Sequence, residues 1–257
     1  INCDITEQAL PYGIPEKTDA IINLAGRSVF GKWTPKVKGE ILRSRIQSTK
    51  HIVESIASAT TKPSAFICAS AIGFYGDTGD TTADEQAPHG TGFLSEVVSE
   101  WESVAKEATA SGVRVVCVRT APVLGQGGML AQLRKTARFG FLLKLKKQDF
   151  WMSWIHEEDI INTYIFALET TTLQGVFNAS APEQVLHSTF MKTLGRGLRR
   201  KVAGSIPRFV ARKLFGEFFD EITKSQRAVP KRLLDKGFVF SYPTLDSAIK
   251  QILQKKS

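Results

Sequence analysis

The sequence is poor in several things, and each shortage removes a class of protein. Its three cysteines, Cys3, Cys68 and Cys117, stand far apart and form no CxxC pair. His51, His89 and His187 show no metal-ligand spacing with any Cys, Asp or Glu cluster, so no metal is expected. Cys68 and Cys117 lie inside apolar runs, which reads as buried, reduced thiols in a cytoplasmic protein. No apolar run approaches the roughly 18 residues of a membrane span, so no membrane partner is expected. Ile1-Asn2-Cys3-Asp4 has no basic stretch leading into an apolar core, which excludes a secretory signal there. Internal repeats and low-complexity linkers are absent. No tyrosine is followed four positions later by lysine: the residues found there are Glu16, Gly79, Leu168 and Asp246.

What is present is an ordinary globular composition. Of 257 residues, 42% are hydrophobic and 23% charged, enough for one large α/β domain with a smaller lobe. The net charge is +9, spread along the chain with small clusters at 144–147 and 196–201. No aromatic interleaving accompanies these clusters. They read as solvated basic surface, with no nucleic-acid partner expected. A nucleic-acid binder would show strongly salt-dependent retention on DNA.

The hydrophobic pattern alternates strands and helices. Asp19-Ala-Ile-Ile-Asn-Leu-Ala-Gly26 is a buried strand ended by a turn. Residues 35–57 carry Val37, Ile41, Leu42, Ile46, Ile52 and Val53 near one helical face. Ser64-Ala-Phe-Ile-Cys-Ala-Ser70 is a second strand, 73–92 a loop rich in Gly, Asp and Thr, and 93–111 a helix closed by Gly112. Val113-Arg-Val-Val-Cys-Val-Arg-Thr120 is a third strand, and 122–128 turns into a helix near 129–139. Further on, strands are expected at 151–155 and 175–179, and helices at 157–169, 188–198, 207–215 and 245–253. Near-continuous apolar strands alternating with helices imply βαβ units and a parallel sheet covered on both faces. The fold class is therefore α/β: a Rossmann-like doubly wound parallel sheet with a smaller C-terminal substrate lobe.

Several motifs occur in the order used by extended short-chain dehydrogenases. They are Asn23-Leu-Ala-Gly26, Ser70-Ala-Ile-Gly-Phe-Tyr-Gly76, Arg119-Thr-Ala-Pro-Val-Leu-Gly125, Trp154-Ile-His-Glu-Glu-Asp159 and Val176-Phe-Asn-Ala179. A narrower set is Trp33-Thr34, Lys38, Ser44-Arg45, Thr49 and Trp101-Glu102, then Gly216-Glu217, Gln226-Arg227, Pro230, Gly237-Phe238 and Tyr242-Pro243-Thr244. With these, nearly the whole chain resembles the nucleoside-diphosphate-sugar-epimerase-like family, an atypical branch of the extended short-chain dehydrogenase/reductases. The resemblance implies a dinucleotide-binding domain over 1–125 and a substrate lobe over 126–257, with a family-specific tail at about 206–254. It implies NADP as cofactor, a small-molecule, sugar-nucleotide-like substrate and a homodimer. It leaves the activity open: an NADP(H)-dependent oxidoreductase or epimerase-like enzyme, or an NADP(H)-binding regulatory protein.

Three departures qualify the resemblance. Such proteins open with a strand and a Gly-rich turn that holds the cofactor pyrophosphate. No such segment precedes Asn23, so the chain reads as N-terminally incomplete, or as a variant without the first βαβ unit. The GxxGxxG spacing from Gly73 to Gly79 is a decoy, because no convincing helix follows it. Motif order puts the usual catalytic Tyr and Lys on Phe93 and Val97, neither of which exchanges a proton. A glycine-rich stretch before Trp154 is replaced by Lys144-Leu-Lys-Lys-Gln-Asp-Phe150.

The candidate site follows. Asn23, Ala25 and Gly26 end a parallel strand, where such sheets bind ligands, and are expected to contact the cofactor. Ser70 is a candidate for catalysis and for contact with the nicotinamide; its alternative is a strand-end cap, and the register could instead place Ala71 there. Tyr75 is the nearby phenol that could replace the missing one, or a packed loop aromatic. Arg119 needs a partner, either an ion pair or a phosphate. The Ala121-Pro122-Val123 backbone fits the nicotinamide end by resemblance. Glu96 either faces the site or is solvated. His156 reads as a structural hydrogen-bonding residue that helps tie the lobes.

Overall fold

The computed structural model describes residues 4–8, 10–11, 15–137, 141–145 and 149–254. Cys3 and residues 146–148 of the departing stretch lie outside these.

The strands at the centre are β1 (Ala20–Asn23), β2 (Ala65–Ala71) and β3 (Arg114–Thr120). Between them run α1 (Pro35–Ser58) and α2 (Phe93–Lys106). Thr34 caps α1 by accepting the Val37 N–H at 3.2 Å, and Pro35 fits the first turn, where no N–H is needed. α2 runs into a 3-10 turn that Gly112 ends at φ 77°, a left-handed conformation favouring glycine. After β3 come β4 (Val123–Leu124), α3 (Gly128–Ala137), β5 (Phe141–Leu145), β6 (Trp151–Met152) and β7 (Ile155–His156). α4 (Glu157–Glu169), β8 (Gly175–Ala179), β9 (Val185–Leu186), α5 (His187–Leu198) and β10 (Lys201–Ile206) follow. The tail is α6 (Arg208–Phe215), α7 (Glu217–Ile222), α8 (Lys231–Asp235) and α9 (Leu245–Gln254).

The main sheet is parallel, in the order β1-β2-β3-β8. Parallel neighbours need crossover connections, which α1, α2 and α4 supply. Side chains alternate between the two faces. Phe66, Cys68, Val115 and Cys117 pack with Ile52, Ile56, Trp101 and Ala105 of α1 and α2. Ile67, Val116, Val118 and Phe177 pack with Ala167 of α4 and with Phe238 and Phe240 of the tail. Each such side chain, fully buried, contributes roughly 1.5–3 kcal/mol. A second core lies beyond the sheet, where Leu130, Trp154, Phe190 and Leu194 meet Leu245, Ile249 and Ile252 of α9.

One expected strand is corrected. The stretch 151–155 is not continuous. It divides into β6, antiparallel to β9, and β7, parallel to β4. The buried Ser153 causes the break: its N–H and Oγ both bond the Gln226 carbonyl, and its Oγ accepts the Ala228 N–H at 2.9 Å. The tail thus takes the hydrogen bonds a longer strand would have used.

Candidate active site

The carboxyl ends of β1, β2 and β3 define the site. At the end of β1, buried Asn23 donates to Thr49 Oγ1 at 3.0 Å, and its Oδ1 accepts the Ala25 N–H at 3.0 Å. Trp101 Nε1 donates to the same Thr49 hydroxyl at 2.8 Å. Thr49 and Trp101 therefore hold Asn23, and Asn23 sets the turn through Ala25. Gly26 is exposed, and a Cβ there would come within 3.3 Å of Arg45 Cζ. Arg45 Nη1 donates to the carbonyls of Arg27 and Ile41. Ala25 and Gly26 are thus presented on a rigid support, as close backbone approach to a ligand requires.

At the end of β2, Ser70 points away from the open side. Its Oγ donates to Glu102 Oε1 at 2.6 Å, in the interior. Half-buried Ala71 takes the opposite face and brings no hydroxyl. Arg119 settles into an ion pair: Nε and Nη2 reach the two oxygens of Glu102 at 2.7 and 2.8 Å. Both residues are nearly inaccessible, at 3% and 2% exposure. Burial alone would lower the Arg119 pKa, but the carboxylate outweighs it and raises it. Arg119 Nη1 also donates to the Tyr75 hydroxyl at 2.9 Å, and its guanidinium lies 3.3 Å from the Phe74 ring centroid.

Tyr75 closes this network. Its O–H donates to Asn178 Oδ1 at 2.7 Å, and Asn178 Nδ2 donates to the carbonyls of Ala83 and Val229. Burial pushes the phenol pKa up to about 12, against the opposing pull of Arg119. Ser70, Glu102, Arg119, Tyr75 and Asn178 thus form one chain of hydrogen bonds beneath the strand ends. Ser70 and Tyr75, named as proton carriers, are both engaged in it. Arg119, named as a cofactor contact, has its guanidinium occupied by Glu102 and Tyr75. The backbone of buried Ala121 and of exposed Pro122 and Val123 remains at the sheet's carboxyl edge. Glu96 is exposed.

His156 caps α4. Its Nδ1 accepts the Glu158 N–H at 3.1 Å, so Nε2 carries the proton and donates to Gln251 Oε1 at 3.0 Å. Asp159 accepts the N–H groups of Ser241 and Tyr242 at 2.7 and 3.0 Å. Both side chains join α4 to the tail.

Sequence reading missed Glu102 and Asn178 as network members and gave no role to Lys38, Arg45 or Thr49. A buried arginine on a strand demands a partner on the helix packed against it, and that signal pointed to Glu102. Nothing in the sequence placed Asn178 beside Tyr75, 103 positions away.

A parallel sheet covered on both faces, with an exposed glycine at the carboxyl end of its first described strand, defines a dinucleotide-type α/β protein. The chain belongs to the NAD dependent epimerase/dehydratase family, whose model matches residues 1–180. Residues 206–252 match a domain of unknown function, DUF1731. Epimerase family protein YfhF of Bacillus subtilis is 36% identical over 250 residues, covering 96% of this chain and 80% of that protein. The chloroplastic SDR39U1 homolog of Arabidopsis thaliana is 34% identical, with 97% and 73% covered. The crystal structure of human epimerase family protein SDR39U1 (isoform 2) with NADPH superposes with a TM-score of 0.89 at 28% identity, covering 98% of this chain and 85% of that one. Among the described residues no helix is long and apolar enough to cross a membrane, and no cluster of three metal-ligating side chains occurs.

Proposed function

We propose that the protein binds NADP(H) at the carboxyl end of the sheet and transfers hydride to or from a small, oxygen-bearing substrate, in the manner of an epimerase or reductase. One observation carries this reading. Exposed Gly26, pinned through Asn23 to Thr49 and Trp101, lies so close to Arg45 that a Cβ would come within 3.3 Å of it, so the strand end offers a ligand bare backbone. Asn23, Ala25, Gly26 and the 121–123 backbone would hold the dinucleotide, and residues 126–257 would face the substrate. The cofactor, when bound, supplies the hydride; the protein orients it and excludes water. The NADPH held by human SDR39U1 supports the choice of NADP over NAD.

Full-length protein titrated with NADPH and NADH should bind the former more tightly, and should turn over at least one member of a panel of carbonyls and sugar nucleotides. Absence of NADPH binding would sink the proposal.

A second reading, a cofactor-binding regulatory protein, draws on the engagement of Ser70 and Tyr75 in the buried network. It predicts NADPH affinity without turnover, together with retention of a protein partner in a pull-down.

A further inference from the structure

Acidic residues are distributed unevenly along the chain. Residues 108–148 and 184–216 contain no Asp or Glu, yet each run carries eight of the 34 Lys and Arg. The first run includes α3 and β5; the second includes α5, β10 and α6. The fold brings the end of α3 against the start of β10, where Arg200 Nε donates to the Ala137 carbonyl at 3.1 Å. Between them lies a cavity of about 430 Å³, lined by Arg134, Lys135 and Arg200 with Ala131, Ala137 and Leu198 as apolar wall. Arg200 is shared with a second cavity of about 710 Å³, whose wall adds Lys192, Arg199 and Lys201. None of these residues belongs to the strand-end site or to the buried network beneath it.

Two of the cations are held in place by neutral acceptors. Arg134 Nη1 donates to Gln126 Oε1 at 2.8 Å, and Arg200 is fixed on the Ala137 carbonyl. A guanidinium carries five N–H donors, so both keep donors beyond these bonds. Arg199 ends α5 at φ 53°, a left-handed conformation usually given to glycine or asparagine. Among the described residues its side chain makes no hydrogen bond or ion pair, so the fold gains no polar contact from an arginine there. Helix ends attract cations, because their carbonyl dipoles point outward. That accounts for Arg196 in the last turn of α5, which also pairs with Asp246 at 3.5 Å. It does not account for cations arriving from α3 and β10. Among the described residues no carboxylate pairs with Arg134, Lys135, Lys192, Arg199, Arg200 or Lys201. Like charges gathered without a counter-charge repel one another, and an anion between them removes that cost.

We infer that these joined cavities bind a small molecule bearing two or more phosphoryl groups. Arg134 and Arg200 take one phosphoryl group through their remaining donors, which suit the planar fork of a guanidinium. Lys135, Arg199 and Lys201 neutralise the others as mobile charges, and the wall of Ala131, Ala137 and Leu198 receives an uncharged portion. Both volumes fall within the roughly 300–1,000 Å³ of small-molecule sites. A lipid surface fits less well, because no residue lining either cavity is an exposed large hydrophobic that could anchor in it. A nucleic-acid strand shares the phosphoryl chemistry, but its bases need aromatic faces, and the described lining has none. The inference does not depend on the cofactor reading above.

Calorimetric titration of full-length protein with sodium tripolyphosphate tests it. Wild type should bind tripolyphosphate roughly tenfold or more tighter than orthophosphate, because the added charges meet added cations. Arg134→Gln and Arg200→Gln should each raise the tripolyphosphate Kd by roughly fivefold or more. Lys236→Gln, an exposed cation elsewhere on the tail, should leave it within about twofold. Thermal melts check folding; should an arginine variant not fold, Lys135→Gln combined with Lys201→Gln carries the same expectation. The NADPH Kd should be the same in wild type and in every variant. No tripolyphosphate binding by wild type, or a Kd that the arginine substitutions leave unmoved, overturns the inference while the cofactor reading stands. A parallel loss of NADPH affinity in the arginine variants overturns it by making the cavity part of the cofactor's own site. Retention of a single-stranded oligonucleotide without affinity for tripolyphosphate overturns it in favour of a nucleic-acid surface.

Discussion

Arg119 is tolerable inside the protein only because Glu102 grips it from two sides. Glu102→Ala strands a buried guanidinium, and such truncations cost about 3–5 kcal/mol. Urea denaturation should show a loss of that size, whereas Glu96→Ala, at an exposed position, should change stability by less than about 0.5 kcal/mol. Tyr75 and Tyr164 supply a pH signature. Burial pushes both phenols up to about 12. Unfolded tyrosine titrates near 10, so a raised folded value favours the native state fully below about pH 10. That contribution disappears as pH rises through about 12. Stability measured in urea should therefore be insensitive to these groups below about pH 10 and fall steeply above it. A flat profile there would contradict the buried placement of Tyr75 and the partly buried placement of Tyr164. Cys68 and Cys117 are register partners on neighbouring strands, and burial raises both thiols, Cys117 to about 12. Native protein at neutral pH should leave both unlabelled by iodoacetamide, and unfolding in urea should expose them.

At the scale of elements, the loop 76–92 is shaped by close backbone approach. A Cβ on Gly90 would fall 2.1 Å from the Tyr75 carbonyl oxygen, and one on Gly76, at φ 62°, would fall 2.9 Å from the Thr91 nitrogen. Gly90→Ala forces these strands of loop apart and should cost about 1–3 kcal/mol, read from the shift in the urea midpoint. Gly79→Ala, with open space around it, should be limited to the strain of its positive φ. The same loop is bound by the tail: Thr78 N–H donates to the Ser225 carbonyl at 2.8 Å, and Ala83 bridges Ala228. The elements themselves were largely legible in the sequence. Near-continuous apolar runs marked β2, β3 and β8, which bury both faces, and helical periodicity marked α1, α2 and α4. The division of 151–155 into two short strands was not legible, because it depends on Ser153 meeting Gln226 and Ala228, 73 and 75 residues away.

At the scale of the whole molecule, the tail completes both cores. Phe238 and Phe240 fill the sheet face under α4, and Leu245, Ile249 and Ile252 fill the second core. A chain cut before 206 leaves both open. It should bind the dye ANS and lose its cooperative thermal transition; a sharp native-like melt would show the tail to be dispensable. The sequence by itself determined the α/β class, the parallel sheet, the family likeness and the absence of any Tyr-x-x-x-Lys pair. Those are local matters, written in periodicity and in motif order along the chain. Only the tertiary structure decided which polar groups meet. Ser70 read as a proton carrier or a strand-end cap and Tyr75 as a proton carrier or a packed loop aromatic, while their partners, Glu102 and Asn178, stood 32 and 103 positions away. The cations of α1 acquired a place only when the packing of two helices set Lys38 over Phe93 and Arg45 over Trp101. Long-range pairing of charges is set by how faces pack, and no window of sequence contains that.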